Sequence, residues 1–222
     1  MAVTVATSDI VHRLLTEAPT GRVLAAGPGR AAKALALLDT TPDTVIGGFV
    51  SACGGLIIDG GWLRVLGAGG PEIEHGIVEW NVPSAGFQPP HGAIIVAHDV
   101  LGGFFAINAG GLPGGIGSTH YLAPDTLRWS DLGLAHVSWV HWMIGGHLEG
   151  FYEQFRWPGW EAHLGMVAAD DGISVWPPLF SAGPEIVDRS RRVIPQRLLW
   201  AAHAPLREQL ADSEDELRTL AS

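Results

Sequence analysis

Residues 93–108 read AIIVAHDVLGGFFAIN, two apolar runs separated by a short stretch ending in paired glycines. AIIVA and FFAI each have the length of a buried strand, and the residues from Asp99 to Gly103 suit a chain reversal. The segment predicts a β-hairpin. Downstream, the glycine-rich loop AGGLPGGIGS leads into THYLAP and then DTLRWSDLG. From Leu134 to Trp157, the residues Val137, Val140, Ile144, Leu148, Phe151 and Phe155 recur at spacings of three and four. They predict a helix interrupted at Gly145–Gly146 and stopped by Pro158. That stripe has no room for both Trp139 and Trp142, so at least one of the two is expected to pack on a second layer or a partner surface.

Upstream, residues 44–82 have a β texture. TVIGGFVSACGGLIIDGGWLRVLGAGG breaks β-branched and aromatic runs with glycine pairs, as bulged hairpins do, and IEHGIVEWN predicts a further strand. VPSAGFQPPHG reads as a loop. Nearer the start, residues 8–18 predict a helix, 22–26 a short strand and AAKALALL a second helix. Beyond Pro158, HLGMVAADDGISVWPPLF predicts a hairpin, followed by an arginine-containing loop and one or two helices. The polar tail after about residue 211 is expected to fray. With neither an internal repeat nor a long linker, residues 1–222 read as one domain.

Composition narrows the function. The 222 residues are 47% hydrophobic and 16% charged, which is a globular balance. Nine tryptophans offer large apolar area but need partners for their N–H groups. A net charge of −10 with a single lysine, Lys33, argues against a nucleic-acid partner. An acidic surface suits a basic protein partner. No run approaches a membrane span, and the N-terminal MAVTVATSDIVHRLL lacks a secretory pattern. The cytoplasm is the expected compartment and no membrane partner is expected. Cys53 is the only cysteine, which excludes an internal disulfide and a cysteine metal cluster.

No complete catalytic signature is present. Gly27, Gly29 and Ala32 fit a relaxed dinucleotide fingerprint, but the acidic residue expected about 20 positions on is missing, so no NAD, FAD or coenzyme A is expected. His136, His141 and His147 stand five and six apart, which points their rings in different directions, and no metal site is expected. Neither a GxSxG elbow nor a GK[ST] motif occurs, Cys53 sits in apolar surroundings, and Asp170–Asp171 precede Gly172 as in a turn. More informative are polar residues set among apolar ones: Asp59 and Arg64 around Trp62, Asn81 after Trp80, Asn108 ending FFAIN, and Tyr121. Buried, they must be paired; exposed, they line a surface that the protein uses. Asp59 and Arg64 are close enough in sequence to pair across a turn at Gly60–Gly61, and Asn108 suits a left-handed turn.

Four blocks, GGLIIDGGWLRVLGAGG with EWN, GGFFAINAGGLPGGIG, YLAPDTLRWSDLG and FYEQFRWPGWE, together resemble an uncharacterised bacterial family classed as a domain of unknown function, over roughly residues 10–200. The glycine-led hairpin with FFAIN, the strand in YLAPDTLRW and the helix ending in FYEQF are also similar to the SUKH superfamily of Smi/Knr-like proteins, many of which are immunity proteins against bacterial toxins. That similarity implies an α+β fold, with helices on a mixed, curved sheet and a SUKH-like core at about 93–157. The reading that follows is a binding module, an immunity or regulatory protein engaging another protein, with no catalytic residue and no cofactor assigned. The alternatives are an enzyme or small-molecule binder with a pocket lined by Trp62, Arg64, Trp80, Asn81, Asn108 and Tyr121, and a structural subunit.

Overall fold

The computed structural model describes Val11, Thr16 and residues 21–207. Apart from Val11 and Thr16, the helix predicted over 8–18 and the tail after 211 lie outside the described residues. The hairpin from which the sequence reading began is present as β4 (Ala93–Asp99) and β5 (Phe104–Asn108). It sits inside a seven-stranded sheet with β1 (Arg22–Leu24), β2 (Gly55–Ile58), β3 (Leu63–Leu66), β6 (Ser118–Leu122) and β7 (Trp129–Ala135). The strands lie in chain order and every neighbouring pair is antiparallel. The α+β class therefore holds, with an antiparallel sheet in place of the mixed one.

Helices cover both faces. Phe104 and Phe105 are consecutive, so they point to opposite sides of the sheet. Phe104 meets Trp80 of α3 (Ile77–Asn81) and Trp200 of α7, the helix over 196–207. Phe105 meets Trp139 of α4 (His136–Ile144) and Phe151 of α5 (Leu148–Phe151). This double burial explains why AIIVA and FFAI are continuous apolar runs: alternation appears only where one face of a strand meets water. The edge strand β7 is more open, with none of its residues fully buried.

Three local expectations change. TVIGGFVSA forms a helix, α2 (Val45–Ala52), because the Thr44 hydroxyl caps it by accepting from Gly47 N at 3.0 Å, and Phe49 and Val50 are buried. Burial here outweighs the β preference of valine and isoleucine. IVEWN is likewise helical as α3, its start secured by the Glu79 carboxylate accepting from Gly76 N at 3.1 Å. The long helix expected over 134–157 begins only after β7 and divides into α4, α5 and a single turn at Glu153–Phe155, with Gly146 at φ 84° between the first two. Val137 is consequently exposed, whereas Trp139 is fully buried and Trp142 stacks on His147 and abuts Phe151.

The possible fingerprint region holds β1 and α1 (Arg30–Leu37), but β1 pairs antiparallel with β2, so no parallel crossover exists there. Past α6 (Trp160–Leu164), the chain makes a second sheet of β8 (Asp171–Trp176) and β9 (Ser190–Pro195). The arginines read as a loop thus belong largely to β9. This hairpin is pinned to the β4–β5 turn by Ile173 N donating to Val100 O at 2.6 Å. Ile173, Val175 and Trp200 join the same hydrophobic cluster as Leu24, Phe49 and Trp139.

Two glycines in helices give opposite expectations. A Cβ on Gly47 would lie 1.9 Å from Thr41 O, whereas one on Gly150 would meet nothing within 4 Å. Gly47→Ala should lower stability by about 2 kcal/mol despite alanine's better helix propensity, and Gly150→Ala should raise it by about 0.5 kcal/mol. Urea midpoints of the two variants beside the parent measure both; an increase for Gly47→Ala would contradict the packing described.

Candidate functional site

The residues singled out from sequence separate into several internal assemblies. The largest centres on a carboxylate at the end of β4. Asp99 is fully buried; its Oδ1 accepts from Leu101 N (2.9 Å) and Gly103 N (2.8 Å). Its Oδ2 accepts from the Tyr121 hydroxyl at 2.6 Å and from the Tyr152 hydroxyl at 3.3 Å. Burial raises the Asp99 pKa against the pull of these donors, and burial beside Asp99 drives both phenols well above their ordinary value. Tyr121 is thus a structural donor to a carboxylate.

Arg64 lies across the sheet from this cluster. In register it opposes His98, one residue before Asp99, so it shares the face of His98 rather than that of the Asp99 carboxylate. It is 1% exposed, donates weakly to Trp62 O at 3.4 Å, and has an unpartnered Nε. Burial lowers its pKa to about 10, while the charges of Asp99, Asp171 and Asp170 pull the other way, so it remains a cation. His98 beside it is held neutral, its pKa pushed down to about 3 by burial and then by Arg64. Gln196 closes this side by donating to Asp99 O at 2.9 Å.

The anticipated Asp59–Arg64 pair is absent. Asp59 instead forms an ion pair with Arg156, which is far away in sequence. A 3-10 turn, Asp59–Gly61, carries Asp59 (φ 56°) and Gly60 (φ 62°) in left-handed geometry, turning the carboxylate toward the 153–160 segment. There Trp62 packs among Tyr152, Trp157 and Trp160 at ring-centroid distances of 5.4, 5.7 and 5.3 Å. The Arg156 guanidinium stands 4.5 Å from the Trp160 ring centroid, a cation–π contact capping the aromatic cluster. Desolvation raises the Asp59 pKa, opposed by Arg156.

The remaining residues brace the backbone. Trp80 is sandwiched among Phe87, His98 and Phe104. Asn81 ties α3 to β4, donating to Ile77 O and Ile95 O and accepting from Ile95 N, each at 2.8 Å. Asn108 is 1% exposed and holds the glycine loop: Oδ1 accepts from Gly110 N (2.8 Å) and Leu112 N (3.0 Å), and Nδ2 donates to Leu112 O (2.9 Å) and Gly115 O (3.2 Å). It stays extended at the end of β5, and the left-handed positions fall on Gly110, Gly114 and Gly117. Buried His120 braces the same loop by donating from Nε2 to Pro113 O at 2.7 Å. The outcome is a stapled loop over 109–117 in which Ile116, in the turn that leads back into β6, is 81% exposed.

Asp59 and Trp62 meet in one assembly, Arg64 and Trp80 flank His98, and Tyr121, Asn81 and Asn108 stand apart from each other. Sequence reading missed His98, Tyr152, Gln196 and Arg156 as their partners. The one usable signal was a charged residue inside an aromatic or aliphatic run, as in VAHDV and FRWPGW. Asp170, read as a turn residue, also reaches back to the 74–76 loop, accepting from Glu74 N at 2.6 Å and His75 N at 2.9 Å. Cys53 is buried and its thiol is pushed up to about 12, as an inert thiol would be. Among the described residues, no helix is long and apolar enough to cross a membrane.

An antiparallel sheet with helices on both faces and a stapled loop at one end defines an α+β protein whose embedded polar residues are spent on architecture. The chain belongs to the family described as "Protein of unknown function DUF2625", whose model matches residues 4–198. It is similar to the uncharacterised protein YbfG of Escherichia coli, 34% identical over 177 residues that cover 79% of each chain. It is also similar to an uncharacterised protein of Haemophilus influenzae, 33% identical over 120 residues and 52% of each chain. No solved structure matches.

Two consequences follow for stability. Asp99→Ala strands the donors of Leu101, Gly103, Tyr121 and Tyr152 in the core and should cost about 3–5 kcal/mol, with Tyr121→Phe costing more than Tyr152→Phe because its bond is shorter. A denaturant series ranks the three.

Because folded His98 stays neutral down to about pH 3 while an unfolded histidine protonates near 6.5, the unfolded chain binds the proton first as pH falls. Stability should be full well above pH 6.5 and decline as pH falls from about 6.5 toward 3, by up to about 1.4 kcal/mol per pH unit from this residue. Urea midpoints across that range should fall for the parent and fall less steeply for His98→Leu.

Proposed function

We propose that this protein is a binding module that engages another protein through the 109–117 loop, an immunity or regulatory protein of the SUKH-like kind to which the sequence is similar. The observation carrying this reading is the loop's construction: a buried asparagine makes four hydrogen bonds to it, yet its return to β6 presents an exposed isoleucine. A loop already held in shape loses little conformational entropy on docking. An exposed aliphatic side chain on such a loop serves as an anchor for an apolar pocket on the partner.

The loop contains no charged residue, but Asp131 of β7 lies directly beneath it, accepting from the Ser118 hydroxyl and from Gly133 N at 2.8 Å. That carboxylate and the net charge of −10 favour a partner whose pocket has a basic rim. The expected compartment remains the cytoplasm.

Ile116→Asp is the direct test. The substitution should leave the urea midpoint within about 0.5 kcal/mol of the parent, since the side chain touches little, while removing capture of the partner that the parent retains from source-cell extract. Asn108→Ala should weaken the same capture by loosening the loop, with Ile116 intact. A set of captured proteins identical for parent and Ile116→Asp would refute the reading.

A further inference from the structure

A separate pocket of about 250 Å³ opens between the β8–β9 hairpin, the chain that follows β8, and α7. Its floor is one face of the hairpin. Residues opposed in an antiparallel pair share a face, so Gly172, Ser174 and Trp176 stand beside Ile194, Arg192 and Ser190. That face looks toward α7, because a Cβ on Gly172 would lie 2.6 Å from Leu199 Cδ1. Ser174, Trp176 and Ile194 line the pocket from this side, and Leu199, Ala202 and Leu206 line it from the helix. A third wall, Pro178 to Phe180, is pinned by the Arg189 guanidinium, which donates to Pro177 O and Pro184 O, each at 2.8 Å.

Arg192 stands on the same face, at the rim. Ser174 lies directly opposite it, Ile194 follows two positions along its own strand, and Trp176 is its diagonal neighbour; all three line the pocket. Arg189 and Arg191 are occupied with backbone carbonyls, at Pro184 and Ile186 among others. Arg192 is exposed, and among the described residues its guanidinium has neither a hydrogen bond nor an ion pair. The chain carries a net charge of −10, yet here an unpaired cation borders an apolar recess and an indole that is 68% exposed. Such a combination suits an anion with an apolar body.

We propose that this pocket binds a small monocarboxylate with an apolar tail, the tail filling the space between the hairpin and α7 and the carboxylate pairing with Arg192 at the mouth. The planar guanidinium matches a carboxylate in two parallel hydrogen bonds, and its long stem lies along apolar surface while the charged end stays in water. The pair therefore forms without burying a charge. The size suits a short tail: an apolar cavity of about 150 Å³ holds benzene, so about 250 Å³ has room for a chain of roughly eight carbons. Leu199, Leu206 and Phe180 supply desolvation and dispersion, and the indole of Trp176 covers the end of the tail nearest the head group.

Octanoate and 1-octanol are the probes, equal in chain length and differing in the charge of the head group. Titration of the full-length protein, followed by the indole N–H signal of Trp176, should show saturable octanoate binding with a Kd near or below about 1 mM and about tenfold weaker binding of octanol. Arg192→Met keeps an apolar stem and removes the charge, so it should bring octanoate down to the affinity of octanol and leave octanol unchanged. Ala202→Phe, at an exposed helical position that lines the pocket, should weaken both probes. Unchanged urea midpoints for the two variants separate lost binding from lost folding. Equal affinity of the parent for the two probes, octanoate binding that survives Arg192→Met, or no saturable shift at Trp176 overturns the proposal. So does a captured protein that Ala202→Phe releases while octanoate fails to bind the parent, which would assign the recess to a partner's side chain.

Discussion

The carboxylate of Asp99 sits where β4 turns into β5, inside a sheet covered on both faces, and everything about the central strands depends on its being satisfied. Two backbone amides of the turn and two phenols from β6 and the α5 region supply that satisfaction. The bonds therefore link a local reversal to elements far along the chain. A Cβ on Gly103 would lie 2.1 Å from Asp99 Oδ2 and 2.4 Å from the Tyr121 hydroxyl, so the second glycine of VLGGFF provides the space that the carboxylate occupies. Tyr152 then contacts Trp62, and through it the aromatic cluster capped by Arg156 and Asp59.

Burying both faces of an antiparallel sheet has an electrostatic cost, since any charged residue in the central strands must be accommodated in low dielectric. Arg64 and Asp99 lie on opposite faces of the same strand pair, so their charges attract across the sheet without forming an ion pair. His98 remains neutral beside Arg64. This arrangement leaves the embedded polar groups little chemistry to offer a substrate. A few large apolar side chains do face outward, among them Ile116 on the stapled loop and Trp176 on the β8 rim, which is 68% exposed.

Tryptophan serves both halves of this design. Trp80 and Trp200 build the layer on one side of the sheet, Trp139 the layer on the other, and Trp62, Trp157 and Trp160 fasten the turn between β2 and β3 to the segment that follows α5. Their abundance was evident from composition, and so was the need for large apolar partners. Their distribution over three parts of one core was not, because a tryptophan's preference for burial carries no direction.

The sequence by itself determined those features that depend on neighbours in the chain. The β4–β5 hairpin and its turn, the helix after GPGR, the glycine loop following Asn108 and the interruption at Gly145–Gly146 all follow from turn chemistry and apolar patterning, while the α+β class was what the family resemblance implied. Only the tertiary structure decided that TVIGGFVSA and IVEWN are helical, because a threonine cap, a glutamate cap and burial outweigh the β preference of their valines and isoleucines. It alone decided that Asp59 pairs with Arg156 and that Asp99 collects Tyr121 and Tyr152. Period and propensity describe one segment at a time, whereas an ion pair or a buried hydrogen bond between residues some 20 to 100 positions apart exists only once packing has brought their side chains together.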